Sequence, residues 1–241
     1  IDLDFSASSS ELISVGADDI FVAKYDSVGT FVWAKQLGST GRDKAYTITI
    51  DQSNNLRIGG FFEGSVDFDP GVGTDTLTSA GAGDGYVLSL DADGNYLWAG
   101  RFGGVGTGSA NGDGDFVNTI AVDGSGNTYV GGVIYQGSGP AVDVQFGTGS
   151  TTVTGSGQQN TIIVKIDDTG ELVWAKHFDS GFLNGPNSLD INANGDIIVG
   201  GGLHSQSMDA DPGLGVATLN ASGLSDAYIV VLDQDGAYRW A

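Results

Sequence analysis

The sequence contains no cysteine, so disulfides, thiolate zinc sites and cysteine nucleophiles are all excluded. Basic residues are also scarce: nine Lys or Arg stand against 30 Asp or Glu among 241 residues, a formal charge of −21. A polyanionic partner would meet long-range repulsion and would find no basic patch. We therefore expect neither nucleic acid nor an anionic membrane surface as a partner.

Long apolar runs are missing as well. No segment approaches the roughly 20 apolar residues that a membrane-spanning helix needs, so we expect no membrane insertion. The sequence begins at Ile1 without the features of a secretory leader, and we interpret it as a mature or trimmed piece. Proline is rare, with four residues, whereas 41 glycines separate short alternating apolar stretches. This composition is typical of many short strands joined by turns.

Four tryptophans mark an internal repeat, since they are separated by 65, 76 and 66 residues. A glycine lies four residues before each tryptophan and an aspartate lies seven residues before it, with no gap in any copy. The aligned positions are Trp33, Trp98, Trp174 and Trp240, preceded by Gly29, Gly94, Gly170 and Gly236, and by Asp26, Asp91, Asp167 and Asp233. Such a fixed spacing indicates one structural unit used several times.

Each unit contains two predicted hairpins. The apolar runs IFVAKY, GYVLSL, TIIVKI and AYIVVL are each followed by a D-x-x-G turn and by the strand that carries the tryptophan. Earlier in the unit, TITIDQSNNLRIGG, NTIAVDGSGNTYVGG and SLDINANGDIIVGG each predict a strand, a tight turn and a strand. We name these four strands A, B, C and D in chain order.

The predicted fold is all-β, a β-propeller built from four-stranded antiparallel blades. Residues 45–102, 116–178 and 187–241 form three complete blades, and residues 1–38 supply strands C and D of half a blade. A β-sandwich or a β-solenoid is the alternative.

The phrases DIFVAKYDSVGTFVWAKQLG and VDFDPGVGTDTLTSAG resemble the bacterial β-propeller repeat family abbreviated SBBP, and the resemblance covers essentially the whole chain. It implies a secreted or cell-surface bacterial protein, since members of this family are mainly found there. It implies no general enzymatic activity.

Three and a half blades do not make a closed ring, because closed propellers usually have about four to eight. An open end exposes an unpaired strand edge. We expect the remainder of a parent polypeptide, or a second copy, to close the ring. The break falls inside a blade, between strands B and C, which favours a fragment of a larger propeller.

Length varies between repeats only in the B–C and D–A connections, which leave the same end of a blade. The second blade has the longest of each, VIYQGSGPAVDV and GGVGTGSANGDGD. Loops on a rigid scaffold commonly carry recognition, so we expect a protein or glycan partner on this face; glycine-rich filler that tolerates insertion is the alternative. The candidate contact residues near these connections are Phe61, Phe62, Asp113, Asp115, Tyr135, Phe182 and His204.

Acidic motifs open the B–C segments: DLDFS, DFDPG and DADPG, which degenerate to DVQFG in the second blade. A bend after the second carboxylate could bring both to one calcium ion, the only cofactor that we expect. The candidate ligands are Asp2, Asp4, Asp67, Asp69, Asp209 and Asp211. The alternative is that each aspartate only starts a turn by accepting backbone N–H bonds.

Catalysis has little support in the sequence. There are two histidines: His177 occupies a repeat position that is Gln36 and Arg101 in other copies, and no second histidine or serine elbow accompanies His204. The tryptophans are better explained by packing between blades than by sugar stacking. We expect a non-catalytic adhesion, binding or scaffold module; a purely structural spacer and a polysaccharide-active enzyme or lectin-like glycan binder are the alternatives.

Overall fold

A computed structural model describes residues 1–6, 9–106, 114–135, 141–155, 159–179, 185–204 and 207–241. Every regular element among these residues is a β-strand, and every strand pair is antiparallel. Within those ranges no helix is long and apolar enough to cross a membrane. The expectation of an all-β, antiparallel fold is confirmed.

The structure contains twenty strands in the residues that it describes. In chain order they are β1 (Ile20–Tyr25), β2 (Phe31–Leu37), β3 (Lys44–Ile50), β4 (Leu56–Phe62), β5 (Ser65–Asp67), β6 (Thr76–Thr78), β7 (Asp84–Leu90), β8 (Tyr96–Gly103), β9 (Phe116–Val122), β10 (Thr128–Tyr135), β11 (Val142–Phe146), β12 (Gly149–Val153), β13 (Gln159–Ile166), β14 (Leu172–Phe178), β15 (Pro186–Ile191), β16 (Ile197–Leu203), β17 (Ser207–Asp209), β18 (Thr218–Asn220), β19 (Asp226–Leu232) and β20 (Tyr238–Trp240).

Three sheets repeat one topology, in which four strands pair in chain order as A, B, C and D. The first sheet contains β3, β4, β7 and β8, the second β9, β10, β13 and β14, and the third β15, β16, β19 and β20. The pair β1 and β2 supplies only strands C and D. These elements lie where the hairpin patterns of the sequence predict strands.

Each B–C segment contains a third hairpin that the four-strand repeat does not include. These hairpins pair β5 with β6, β11 with β12, and β17 with β18. β11 also pairs with β8, so the second repeat adds two strands to the sheet of the first, which becomes six-stranded. The hairpin therefore covers the outer edge of a neighbouring sheet.

The C–D turns have the geometry that the D-x-x-G phrases predict. In the turn after β7, the Oδ1 atom of Asp91 accepts bonds from the amides of Asp93 and Asn95, both at 2.8 Å. The glycine of this turn, Gly94, has a φ of +77°, a left-handed conformation that favours glycine. The aspartate thus fixes the turn, and the glycine lets the chain reverse.

Neighbouring sheets pack face to face through three apolar clusters. The tryptophan of strand D extends this packing into the following repeat: the indole N–H of Trp33 donates to the carbonyl of Ala92 at 3.3 Å, and that of Trp174 to the carbonyl of Gln234 at 3.3 Å. Both acceptors lie in the C–D turn of the next sheet. Trp33 and Trp174 therefore lie between repeats.

Candidate binding surface and acidic turns

Two buried aspartates hold the bases of the connections on the variable face. Asp115, which precedes β9, accepts bonds from the amide of Gly104 at 2.9 Å and from the amide of Tyr135 at 2.5 Å. Gly104 begins the D–A connection and Tyr135 ends strand B. One carboxylate therefore ties the two long connections of the second repeat together where they leave the sheets.

Asp43 has the same role one repeat earlier. Its carboxylate accepts bonds from the amide of Ser39 at 2.6 Å and from the amide of Glu63 at 3.1 Å. The side chain of Glu63 in turn binds the guanidinium of Arg42 at 2.7 Å. In both repeats a buried aspartate therefore holds the bases of the D–A and B–C connections by accepting one backbone N–H bond from each.

Burial perturbs the ionisation of this face. Desolvation raises the pKa of Asp115 to about 8, although both of its backbone N–H donors favour the ionised form, and the charge of Asp84 adds to the rise. Desolvation also raises the pKa of Asp84 to about 6, against the attraction of Arg101, with which it forms an ion pair. The pKa of Asp43 is raised by burial too. These acids stabilise the loop bases from inside the protein.

Three of the predicted contact residues are not at the surface. Phe61 and Phe62 are fully buried, so the expectation that they are exposed is wrong. Phe61 lies under the guanidinium of Arg42, 5.6 Å from its ring centroid, and Phe62 packs against the ring of Phe68, with centroids 5.3 Å apart. Asp115 is buried as well, because its carboxylate serves the backbone of the loop bases.

Four predicted contact residues remain. Tyr135 and His204 are half-buried at the ends of strands B, on the variable face. Asp113 and Phe182 lie outside the described residues, as do residues 107–112 and 136–140 of the long connections. Ligand contact by these four residues stays a prediction.

The acidic motifs form turns braced by their own aspartates. The Oδ1 atom of Asp67 accepts from the amides of Asp69 at 3.1 Å and Asp75 at 2.8 Å. The third repeat has the same arrangement: the Oδ1 atom of Asp209 accepts from the amides of Asp211 at 3.1 Å and Ala217 at 2.9 Å. The first carboxylate therefore closes the loop between the two strands of the B–C hairpin in the first and third repeats.

The second aspartate of each motif braces the tip of the loop. The Oδ1 atom of Asp69 accepts from the amide of Gly71 at 2.7 Å, and that of Asp211 from Gly213 at 2.8 Å. The first segment has both features: Asp2 accepts from the amides of Asp4 at 3.1 Å and Ser10 at 3.0 Å, and Asp4 from Ser6 at 2.9 Å. The loop geometry is thus explained by backbone bonding alone.

Calcium requires six to eight oxygen ligands, and each motif offers two carboxylates, each with one oxygen bonded to the backbone. Within the part of the chain that the structure describes, no group of three or more His, Asp or Glu side chains is arranged to hold a metal ion. The geometry favours the turn role, and calcium binding stays a prediction.

Arg57 is a buried cation that the sequence reasoning missed. Its guanidinium donates to Ser89 at 2.8 Å and to Thr128 of the next sheet at 3.0 Å, and it forms an ion pair with Asp51 at 3.3 Å. It also lies over the ring of Trp98, 5.2 Å from the centroid. The corresponding strand positions, Tyr129 and Ile198, are uncharged, so an arginine at this position was the available signal. Arg57 links the first and second sheets.

The fold defines an all-β repeat protein whose sheets pack against one another through equivalent contacts. No protein-family model matches the chain. Among curated proteins it is similar to an uncharacterized WD repeat-containing protein, L264, of Acanthamoeba polyphaga mimivirus, with 22% identity over 238 residues. The similarity covers 87% of this chain but 16% of that protein, and it implies a repeat organisation of the β-propeller type.

Proposed function

We propose that the chain is a β-propeller segment of the SBBP type with three complete blades and half of a fourth. It acts as a secreted or cell-surface adhesion or scaffold module, and its B–C and D–A connections bind a protein or glycan. The observation that carries the proposal is the repeated anchoring of these connections by Asp43 and Asp115, which presents them from rigid bases. Loops of variable length on a rigid frame are suited to recognition.

Two further observations support this assignment. The strand order A, B, C, D recurs in three sheets that pack face to face, as blades of a propeller do. The mimivirus relative is named for WD repeats, which form four-stranded propeller blades. The proposed location outside the cell rests on the SBBP resemblance alone.

The test is a binding screen of the whole chain against a glycan array and against extracellular-matrix proteins. A variant in which residues 105–113 and 136–140 are replaced by the shorter connections of the first repeat should lose the binding found. The matched control replaces the turn around Asn54, on the opposite end of the sheets, and should keep it. Binding that survives the loop replacement, or no binding at all, would leave the spacer role as the better explanation.

A further inference from the structure

The strand β1 has an edge that the corresponding strands do not have. β7, β13 and β19 each pair with a strand B on one side and a strand D on the other. Among the described residues β1 pairs only with β2, its strand D, and no strand pairs with its other side. Such an edge is a template for a further strand.

Two apolar side chains beside this edge are exposed although their counterparts are buried. Phe21 on β1 is 51% exposed, whereas Tyr86, Ile162 and Tyr228 at the same repeat position are 0%, 0% and 4% exposed. Each counterpart has a strand B at its side and packs in an apolar cluster with a neighbouring sheet. In the part of the chain that the structure describes, Phe21 has neither.

The second exposed side chain, Ile48, indicates more closely which strand would lie beside β1. Ile48 on β3 is 56% exposed, whereas its counterparts Ile120 and Leu189 are 7% and 6% exposed. Ile120 packs on Gly59, a strand B residue of the preceding sheet, where a Cβ atom would lie 2.8 Å from the Cδ1 atom of Ile120. By the same packing, Ile48 requires a strand B glycine beside β1.

Every strand B in the chain has glycine at this point. The Gly-Gly pair of each strand B lies opposite the two strand C positions that correspond to Phe21 and Val22. The pairs are Gly60 and Gly59 opposite Tyr86 and Val87, Gly132 and Gly131 opposite Ile162 and Ile163, and Gly201 and Gly200 opposite Tyr228 and Ile229. At Gly201 a Cβ atom would lie 2.5 Å from the ring of Tyr228, so the large strand C side chain needs the glycine. The residue opposite Phe21 is subject to the same requirement.

Open grooves lie where this strand would be inserted. A groove of about 230 Å³ between β1 and β3 is lined by residues 21–23, 45–48 and 58, and a second of about 380 Å³ by residues 18–21 and 43–46. Phe21 and Ile48 both line the first groove. The grooves and the free edge therefore form one continuous surface.

We propose that the β1 edge and Ile48 form a docking site for an A–B hairpin of a further repeat of this pattern. Strand B of that hairpin pairs antiparallel with β1 and places its Gly-Gly pair opposite Phe21 and Val22. A second copy of the chain does not fit as the occupant, because each of its three A–B hairpins is already paired with its own strand C. This inference rests on the proposed propeller organisation and not on the ligand of the variable face.

The first experiment titrates the whole chain into a labelled peptide with the sequence of residues 44–62 and records fluorescence anisotropy. We expect saturable binding, and at least tenfold weaker binding of a peptide carrying Gly59→Val and Gly60→Val. In the protein, Ile48→Asp should weaken binding at least tenfold. Val28→Asp, an exposed position in the β1–β2 turn, is the matched control and should leave binding unchanged.

A fused hairpin tests the same site without depending on the affinity of a free peptide. The sequence of residues 44–65, placed directly before Ile1, continues the repeat without a gap, because Asp2 and Asp67 share one repeat position. We expect at least tenfold slower hydrogen exchange at amides of β1 and a higher melting temperature, both lost with the Gly-Gly→Val-Val hairpin.

Unchanged exchange at β1 in the fused protein, or equal docking of the glycine-free hairpin, would overturn the proposal. Concentration-dependent dimerisation of the unfused chain that protects β1 would overturn it too, in favour of a second copy. A chain that docks the hairpin yet binds nothing through its loops would refute the proposed adhesion function alone.

Discussion

The contact between one repeat and the turn of the next can be tested at Gly170. This residue lies in the C–D turn of the second repeat with a φ of +93°. A Cβ atom there would lie 2.5 Å from the Cγ atom and 2.9 Å from the Cβ atom of Trp98, which belongs to the first repeat. These atoms are the stem of the tryptophan side chain and do not move aside without shifting its strand. Gly170→Ala therefore combines backbone strain with overpacking.

The two effects have different sizes. A left-handed conformation costs a residue with a Cβ about 1–2 kcal/mol relative to its right-handed one. Overpacking of a well-filled interior costs a further ~1–3 kcal/mol. We expect Gly170→Ala to lower the free energy of unfolding by about 2–5 kcal/mol. Gly29→Ala is the matched control, because Gly29 has a φ of +84° and no atom within 4 Å of the position of its Cβ, so it carries only the strain.

The assay is urea unfolding followed by circular dichroism, with both alanine variants made in the wild type and in a Trp98→Ala background. In the wild type Gly170→Ala should cost about 1–3 kcal/mol more than Gly29→Ala. In the Trp98→Ala background this excess should shrink, because the contact with Cγ is removed and only the contact with Cβ at 2.9 Å remains. Equal costs of the two variants in the wild type, or an excess that is undiminished without the indole ring, would refute the packing of Trp98 on Gly170.

Three other predictions concern buried acids, the acidic turns and the tryptophan bonds. Because burial raises the pKa of Asp115 from 3.8 to about 8, the folded chain holds a proton between those pH values that the unfolded chain has released, so stability falls as the pH rises through this window. The free energy of unfolding should fall by up to about 1.4 kcal/mol per pH unit. Urea unfolding at pH 5 and pH 8 should therefore show a smaller difference in this free energy for Asp115→Asn than for the wild type. Equal differences would contradict the raised pKa of Asp115. If the acidic turns bind calcium, millimolar calcium should raise the melting temperature relative to chelator in the wild type and less in the double variant Asp67→Asn with Asp209→Asn; no shift in either protein leaves them as turns. Trp33→Phe should cost about 0.5–1.5 kcal/mol more than Trp98→Phe in urea unfolding, because Trp33 donates to the next turn, whereas the buried indole N–H of Trp98 has no acceptor among the described residues.

The hairpins could be predicted from sequence because their signals are local. The phrase from Asp91 to Trp98 contains a turn aspartate, a glycine with positive φ and alternating apolar residues, and the structure has β7, a turn and β8 in those places. The order of strands within each sheet could also be predicted, because consecutive antiparallel strands joined by tight turns pair with one another. Local chemistry therefore accounts for most of the fold.

The B–C hairpins were missed because their signal is weak. β5 and β6 have three residues each, and the motif between them was interpreted as a turn or calcium site. The pairing of β11 with β8 joins two different repeats, which no pattern within one repeat can indicate.

The predicted exposure of Phe61 and Phe62 was also wrong. Phe61 and Phe62 stand at the end of a strand next to a variable connection, where side chains are commonly exposed. Their burial depends on Arg42 above one ring and on Phe68, which the unpredicted hairpin brings against the other. The buried charges of Asp115 and Arg57 were equally hidden, because their partners come from other strands and other repeats.

The bond from Trp33, and likewise from Trp174, to the turn that follows has an evolutionary consequence. Trp33 and Trp174 reach forward to Ala92 and Gln234, which occupy the same position of their own repeats, so a unit carries both the donor and the acceptor of its junction. A tandem duplication of one whole unit would therefore create a correctly matched junction in a single genetic event, without a compensating mutation. A protein built in this way can change its length by whole units while the new junction keeps the chemistry of the one that was copied.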